Sequence, residues 1–189
     1  IKVGANLGMY IAGTGISSGK NAGTITATTG TGVYVEGTAN SFDGTGGTIT
    51  SGGVGISLNG TDAGQIKTGN LDIKSDGVGV YGNNAKIDFE VNVTGEGAIG
   101  VAAGENSAIS KNIKTGSGSI GVYLLDDTVT FDNVNIETEN NKEPSSPGGN
   151  DGKTSVGILL NAVGAYALDK VNVDAKNGVG IYLEDSTKS

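Results

Sequence analysis

The most regular feature of this sequence is a short block of the form apolar, glycine, apolar, any residue, apolar. Its glycines lie at Gly8, Gly32, Gly55, Gly79, Gly100, Gly121, Gly157 and Gly180. The intervals between them are 24, 23, 24, 21, 21, 36 and 23 residues. Alternation of apolar positions with period two is typical of β-strands, and a near-constant interval of this length indicates a repeat architecture. Each block therefore predicts one strand of a repeating unit.

A second apolar segment keeps step with the glycine blocks. Its members are Ile25, Ile49, Leu71 and Ile73, Val91 and Val93, Ile113, Val134 and Ile136, and Val171 and Val173. A weaker third segment falls between the two, as at 87–89, 129–131 and 166–168, and Gly, Asn, Asp and Ser separate the segments. One unit cannot bury its own apolar face, but stacked coils pair equivalent strands in parallel around a continuous core.

The sequence therefore predicts an all-β fold, a right-handed parallel β-helix (β-solenoid) of about eight coils of 21–24 residues. We expect residues 1–189 to form a single β-helix fragment that is cut within repeats at both ends. In the core we expect one inward column formed by Val33, Ile56, Val80, Val101 and Val122. Within a glycine block, alternation predicts that Val54, Ile56 and Leu58 point inward while Gly55 and Ser57 point outward.

The same alternation places five of the six tyrosines in one outward file. They are Tyr10, Tyr34, Tyr81, Tyr123 and Tyr182. Such a file is a candidate exposed aromatic stripe, which could stack sugars or receive a partner protein. The alternative, which we favour, is that each ring lies across neighbouring outward glycines and shields the backbone.

Polar residues of the second segment and of one turn are further candidates. We expect an outward ladder of hydrogen-bonded side chains from Asp72, Asn92, Asn112, Asn135 and Asn172. Carboxylates follow the glycine-block strand at Glu105, Asp126, Asp127, Glu184 and Asp185. Carboxylates in neighbouring turns could hold calcium, or serve a glycosidase as an acid–base pair. We interpret them instead as solvated turns.

One interval departs from the repeat, because Gly121 and Gly157 are 36 residues apart. The surplus lies at 139–153 and holds both prolines, which cannot donate to a strand ladder. We expect an inserted, exposed loop, which serves either recognition or no function at all. Its candidate binding residues are Asn140, Asn141, Lys142, Glu143, Pro144, Ser145, Ser146, Pro147, Asn150 and Asp151.

The amino-acid composition excludes several classes of functional site. The chain has no Cys and no His, and all 12 basic residues are lysines. Disulfide scaffolds, thiolate and imidazole metal sites and His-dependent catalysis are thereby excluded. The net charge of −8 argues against nucleic acid, whose binding needs cations to neutralise phosphates. We expect no enzyme, catalytic residue, cofactor or metal, no membrane contact because no long apolar run exists, and a monomer kept apart by its charge.

The repeat style resembles a known family. The resemblance rests on three kinds of short motif: Val-Gly-Val-Tyr at 78–81 and Ile-Gly-Val-Tyr-Leu at 120–124, Val-Asn-Val at 91–93 and 171–173, and Gly-Thr-Gly at 30–32. They resemble the passenger (β-helix) region of large bacterial type V autotransporter adhesins, fusobacterial type. The resemblance implies a cell-surface, extracellular location, with an outer-membrane barrel outside this segment. It also implies attachment to other bacteria or host cells through a surface protein or a glycan.

Two alternatives remain open from the residues. The first is a polysaccharide-degrading enzyme on a β-helix fold, although Arg and His are absent and acidic surface repels uronates. The second is a glycan-binding, lectin-like module that uses the tyrosine file and the inserted loop. The leading prediction is a structural and adhesive segment without chemistry of its own.

Overall fold

The computed structural model describes residues 1–13, 17–61, 66–73, 77–139, 154–161 and 164–184. Over these residues the protein is all-β, and its parallel strands stack as a β-solenoid of about seven turns. None of the described residues lies in a helix that is long and apolar enough to cross a lipid bilayer. The predicted parallel β-helix of about eight coils is confirmed.

Two long parallel sheets run along the solenoid, each with eight strands. The glycine blocks form the first, which we call the glycine sheet: β2 (Met9–Ile11), β5 (Thr31–Glu36), β8 (Val54–Asn59), β11 (Val78–Asn83), β14 (Ile99–Ala103), β17 (Ile120–Leu124), β20 (Val156–Leu160) and β22 (Val179–Leu183). The second apolar segment forms the second sheet: β1 (Lys2–Val3), β4 (Thr24–Ala27), β7 (Thr48–Ser51), β10 (Asn70–Ile73), β13 (Val91–Val93), β16 (Ile113–Thr115), β19 (Val134–Thr138) and β21 (Val171–Ala175).

The third side of the solenoid carries two short sheets of three strands each. The first contains β3 (Ser18–Lys20), β6 (Ser41–Asp43) and β9 (Ile66–Lys67), and the second contains β12 (Lys86–Ile87), β15 (Ala108–Ile109) and β18 (Thr130–Phe131). Each of these strands follows a glycine-sheet strand and precedes a strand of the second sheet. The weaker third segment of the sequence thus supplies a third, shorter side.

The core is a set of stacked apolar columns. In the glycine sheet, pairing joins Val33, Ile56, Val80, Val101 and Val122 in the predicted order. All five side chains are fully buried. The second sheet faces them with its own buried column, which begins with Ile25, Ile49, Leu71 and Val93. Burial of apolar surface between successive coils therefore holds the rod together.

The block glycines face the core, so the prediction that they point outward is wrong. A Cβ added to Gly55 would lie 2.9 Å from Ile73 Cδ1 and 2.7 Å from the carbonyl oxygen of Gly79. Val54, which was expected inside, is only half-buried, whereas Ile56 is fully buried. Two successive inward positions thus interrupt strict alternation. The glycine is required because the second sheet and the next coil leave no room there for a side chain.

The coil resumes directly beyond the insertion. Glu139 N donates to Thr115 O at 2.9 Å, and Val156 N donates to Ser119 O at 2.9 Å. Both residues therefore continue the coil-to-coil hydrogen bonding on either side of the extra residues. Residues 140–153 lie outside the described part of the chain.

Candidate functional site

The tyrosines form a column on the glycine sheet. Pairing follows the order Tyr10, Tyr34, Ser57, Tyr81, Ala102, Tyr123, Leu159 and Tyr182. Beyond the first pair the tyrosines occupy every second coil, about 10 Å apart for strands spaced ~4.8 Å. Tyr10 and Tyr34 are adjacent, with ring centroids 5.4 Å apart and tilted by 36°.

Three of these tyrosines have hydroxyl contacts with a following coil. Tyr10 Oη donates to Glu36 Oε2 at 3.1 Å, Tyr34 Oη accepts from Asn59 Nδ2 at 3.5 Å, and Tyr123 Oη donates to Glu184 Oε2 at 3.4 Å. The hydrogen bond to Glu36 raises the pKa of Tyr10 above its ordinary value. Burial, with a smaller contribution from the charge of Glu184, raises the pKa of Tyr123 above its ordinary value.

The small residues between the tyrosines are covered. Ser57 is 9% exposed and Ala102 is 3% exposed, although both belong to the outward file. Tyr34, Tyr81 and Tyr123 are themselves half-buried, whereas Tyr10 and Tyr182 at the two ends are 60% and 51% exposed. The column thus shields the small residues of its own file, and the expectation that the rings lie across outward glycines is wrong because the block glycines face the core. The role of the column as a binding stripe stays a prediction.

A ladder of hydrogen-bonded amides runs along the second sheet, near the first residue of each strand. The ladder was predicted, but its members differ in part. Asn135 Nδ2 donates to Asn112 Oδ1 at 2.9 Å, and Asn172 Nδ2 donates to Asn135 Oδ1 at 3.0 Å. Glu90 Oε1 takes the next place, because it accepts from Asn112 Nδ2 at 3.4 Å. The ladder is thus formed by Glu90, Asn112, Asn135 and Asn172.

The prediction was wrong for Asp72 and Asn92. Asp72 pairs with Thr50, and Asn92 pairs with Lys114 in the neighbouring column. Asn92 lies two residues beyond the ladder position, which Glu90 occupies in that coil. A shift of two residues keeps a side chain on the same face of a strand, so the outward orientation was predictable but the column was not.

Two carboxylates of the acidic turn, Asp126 and Asp127, accept hydrogen bonds from the backbone. Asp126 Oδ1 accepts from Thr128 N at 2.9 Å and also from the Thr128 hydroxyl. These hydrogen bonds lower the pKa of Asp126. Asp127 Oδ2 accepts from Ala165 N at 3.3 Å. Within the described ranges, which omit Asp185, no group of three or more carboxylates is placed to hold a metal ion.

The role of the inserted loop as a binding segment stays a prediction. Its proposed binding residues, 140–151, fall outside the described residues. The described flanks are close together, since Ser155 Oγ donates to Glu139 O at 3.0 Å. The two described flanks of the insertion therefore meet at one place on the solenoid.

A polar groove that sequence reasoning missed lies where the third side meets the second sheet. It has a volume of about 610 Å³. We call it the corner groove, and it is lined by Asp88, Ser110 and Asp132 on one wall and by Glu90, Asn112 and Asn135 on the other, together with Lys111 and Asn133. The signal for the first wall was present in the sequence, since its residues recur at an interval of 22 positions.

Hydrogen bonds and ion pairs order the walls of the corner groove. Ser110 Oγ donates to Asp88 Oδ1 at 2.9 Å, and Lys111 Nζ lies 3.8 Å from the same oxygen. Lys170 Nζ lies 3.1 Å from Asp132 Oδ1. Three successive coils thus present polar side chains in two rows.

The corner groove continues into a neighbouring depression of about 300 Å³ that shares Asp88 and Glu90 with it. Its lining also includes Lys67, Thr68 and Phe89, and Phe89 is 9% exposed. Thr68 Oγ1 donates to Glu90 O at 3.2 Å and so ties this coil to the next. With Thr45 also in the lining, the two depressions together follow the solenoid axis across five coils.

Comparison of the chain with protein-family models, with curated proteins and with solved structures gives no match. The functional proposals below therefore rest on the repeat pattern and on the geometry of the tyrosine column and the corner groove.

Proposed function

We propose that this chain is a structural and adhesive segment of a bacterial cell-surface autotransporter passenger. Its role is attachment to other bacteria or to host cells. The observation that carries the proposal is the in-register stacking of eight strands in each long sheet. Seven steps of ~4.8 Å extend the rod by roughly 34 Å, so each coil adds reach away from an anchor. The repeat blocks that resemble autotransporter passengers support the assignment to the cell surface.

The energetics of a solenoid suit a protein that folds outside the cell. Each coil contacts only its neighbours, so folding can start at one end and propagate along the chain. The core columns are apolar and the chain has no cysteine, so stability does not depend on disulfide formation. The regular outer columns also repeat the same side chains along the rod, and such repetition favours several weak contacts at once.

Attachment of protein-coated beads tests the proposal. Beads that carry the folded chain should attach to bacterial or epithelial cells more than beads that carry Ile56→Asp. This variant places a charge in the fully buried core and should not fold. Equal attachment of the two bead types would contradict the adhesive role. The proposal assigns no catalysis to the segment, so release of reducing sugars from polysaccharides by the purified chain would also contradict it.

A further inference from the structure

We propose that the corner groove binds a neutral, hydroxyl-rich oligosaccharide that lies along the solenoid axis. The proposal names a ligand class for the adhesive segment and in that sense rests on the proposed function. Binding in the groove can nevertheless be measured separately from cell attachment.

The size and direction of the groove fit an extended chain. Its volume of about 610 Å³ lies in the usual range for ligand sites, roughly 300–1,000 Å³. The adjoining depression shares Asp88 and Glu90 with it, so the concave surface is continuous. Five coils are four steps of ~4.8 Å and give a length of roughly 19 Å. A linear ligand of several sugar units can follow this surface, whereas a compact ligand would use only one coil.

The two walls offer matched hydrogen-bonding groups at each step. One row carries Asp88, Ser110 and Asp132, and the other carries Glu90, Asn112 and Asn135. Carboxylates accept, whereas serine hydroxyls and amides both donate and accept. Sugar hydroxyls also donate and accept, so each step can serve one unit of an oligosaccharide.

A peptide strand is a poorer occupant of this surface. The backbone at the groove is already bonded from coil to coil, since Val91 N donates to Asn112 O at 3.1 Å and Val134 N donates to Lys170 O at 3.0 Å. An added strand needs unpaired backbone groups at a sheet edge. Recognition must therefore come from the side chains of the two walls.

The recognition groups are ordered before any ligand arrives. Asn112 accepts from Asn135 at 2.9 Å and donates to Glu90, and Ser110 donates to Asp88 at 2.9 Å. Asn112 Oδ1 also accepts from Asn135 N at 3.1 Å, so both of its lone pairs are used and Asn112 has one Nδ2 hydrogen left for a ligand. Asn135 keeps one Nδ2 hydrogen and one Oδ1 lone pair. Asn112 and Asn135 are exposed to solvent. Side chains that are already fixed lose less entropy on binding.

The charges of the groove favour a neutral ligand. Its three carboxylates, Asp88, Glu90 and Asp132, are offset by Lys111 and by Lys170, which pairs with Asp132, and Lys67 lines the adjoining depression. Because the charges nearly balance, the surface offers no strong attraction to an anionic chain such as a uronate or a nucleic acid. Phe89 contributes little apolar surface because it is 9% exposed. Hydrogen bonds rather than ring stacking therefore dominate recognition.

Titration with defined oligosaccharides tests the proposal. The probes are cellohexaose, xylohexaose, mannohexaose and hexa-N-acetylchitohexaose, with hexagalacturonate as the anionic comparison. We expect saturable binding of at least one neutral probe by calorimetry. In ¹H–¹⁵N spectra, the side-chain amides of Asn112 and Asn135 should shift during the titration.

Matched variants distinguish binding in the corner groove from an indirect effect of disturbing the amide ladder. The double change Asn112→Ala with Asn135→Ala removes two wall amides and should weaken binding about tenfold or more. Asn172→Ala removes a rung of the same ladder that lies outside the groove lining, so it should leave affinity within about twofold. Ser110→Tyr, which fills the groove from the opposite wall, should abolish binding and does not depend on the ladder. Circular dichroism should show that all three variants keep the β-solenoid.

Three results would overturn the groove proposal: no saturable binding of any neutral probe at millimolar concentration, equal weakening by Asn172→Ala, or tighter binding of hexagalacturonate. Beads that attach to cells while no sugar binds would overturn the groove proposal alone. Sugar binding without cell attachment would overturn the adhesive role alone.

Discussion

The hydroxyl of Ser155 donates a hydrogen bond to the backbone carbonyl of Glu139 across 3.0 Å, although 16 residues separate the two in sequence. Gly118 N also donates to Ser155 Oγ at 3.1 Å. One serine thus joins the two flanks of the insertion to the preceding coil. The two described flanks of the insertion are thus joined directly to each other.

Shortening the insertion should therefore leave the rod intact. Replacing residues 140–152 with Gly-Gly should change the free energy of unfolding by less than about 1 kcal/mol, because loop-closure entropy varies only slowly with loop length. Thermal unfolding followed by circular dichroism measures this. Ser155→Ala is the comparison, since it removes the hydroxyl that joins the flanks and should cost about 1–2 kcal/mol. A large loss of melting temperature in the shortened chain would contradict the expectation that the insertion lies outside the core.

The block glycines should tolerate no methyl group where the next coil and the second sheet are close. In Gly55→Ala the new Cβ would meet the carbonyl oxygen of Gly79 at 2.7 Å and Ile73 at 2.9 Å. Overpacking of this kind costs about 1–3 kcal/mol, and more where backbone must move. Gly180→Ala is the matched control in the same column, because no atom of the described residues lies within 4 Å of its added Cβ. Chemical denaturation should show loss of stability in the first variant only; similar losses in both would contradict the inward direction of Gly55.

The fold was predictable because one repeated pattern determines it. The blocks around Gly55 and Gly79 share a period and an apolar spacing, and equivalent positions in stacked coils must pair. The direction of the glycines was not predictable from a binary pattern, because a residue without a side chain shows no preference for either face. Only the approach of Ile73 and of the next coil reveals that the position lies inside.

The site was less predictable than the fold. The ladder place of Asn92 is taken by Glu90, and this two-residue shift depends on turn lengths that the apolar pattern does not record. The corner groove depends on two walls that lie on different sides of the solenoid, such as Asp88 and Asn112. Their recurrence was visible in the sequence, but the angle between the two sides was not.

Two buried threonines should limit the stability of the core. Thr115 and Thr138 are neighbours in one column of the second sheet, at 1% and 0% exposure, and the hydroxyl oxygen of each has no hydrogen-bond partner among the described residues. A buried polar group without a partner costs about 1–3 kcal/mol. Thr115→Val and Thr138→Val should each raise the free energy of unfolding by about 1 kcal/mol. Thr130→Val, on an exposed strand position, should have no comparable effect; if the core variants unfold more easily, the hydroxyls have partners after all.

The free energy of unfolding of the solenoid should decrease at acidic pH. A hydrogen bond from Lys176, with the charge of Lys114, holds the pKa of Glu137 below its ordinary value of 4.5. A carboxyl whose pKa is depressed on folding stabilises the protein above its unfolded pKa, and this contribution is lost as the pH falls through the folded value.

The melting temperature should therefore decline as the pH falls below 4.5, and Glu137→Gln should flatten that decline. Glu105→Gln, in an exposed turn, serves as the control. Melting curves between pH 7 and pH 2 measure the difference. The wild type and Glu137→Gln should differ most at neutral pH and converge in acid; a constant difference over the whole range would contradict the contribution of Glu137.

The tyrosine column allows shielding and binding to be separated. Tyr81→Ala uncovers Ser57 and Ala102, which pair with Tyr81 on its two sides and are 9% and 3% exposed. If the ring shields the sheet, this variant should lower the free energy of unfolding by about 1–2 kcal/mol, roughly half the cost of truncating a fully buried aromatic residue. Tyr182→Ala, in the last described coil and 51% exposed, should cost much less.

Attachment of protein-coated beads should then follow folding rather than the number of tyrosines. At a temperature where Tyr81→Ala is still folded, its beads should attach to cells as well as beads that carry the unchanged chain. A variant that keeps its full stability but loses attachment would instead identify the column as the binding surface. That result would favour the exposed stripe over the shielding interpretation, because a ring that contributes nothing to the sheet cannot be explained by packing.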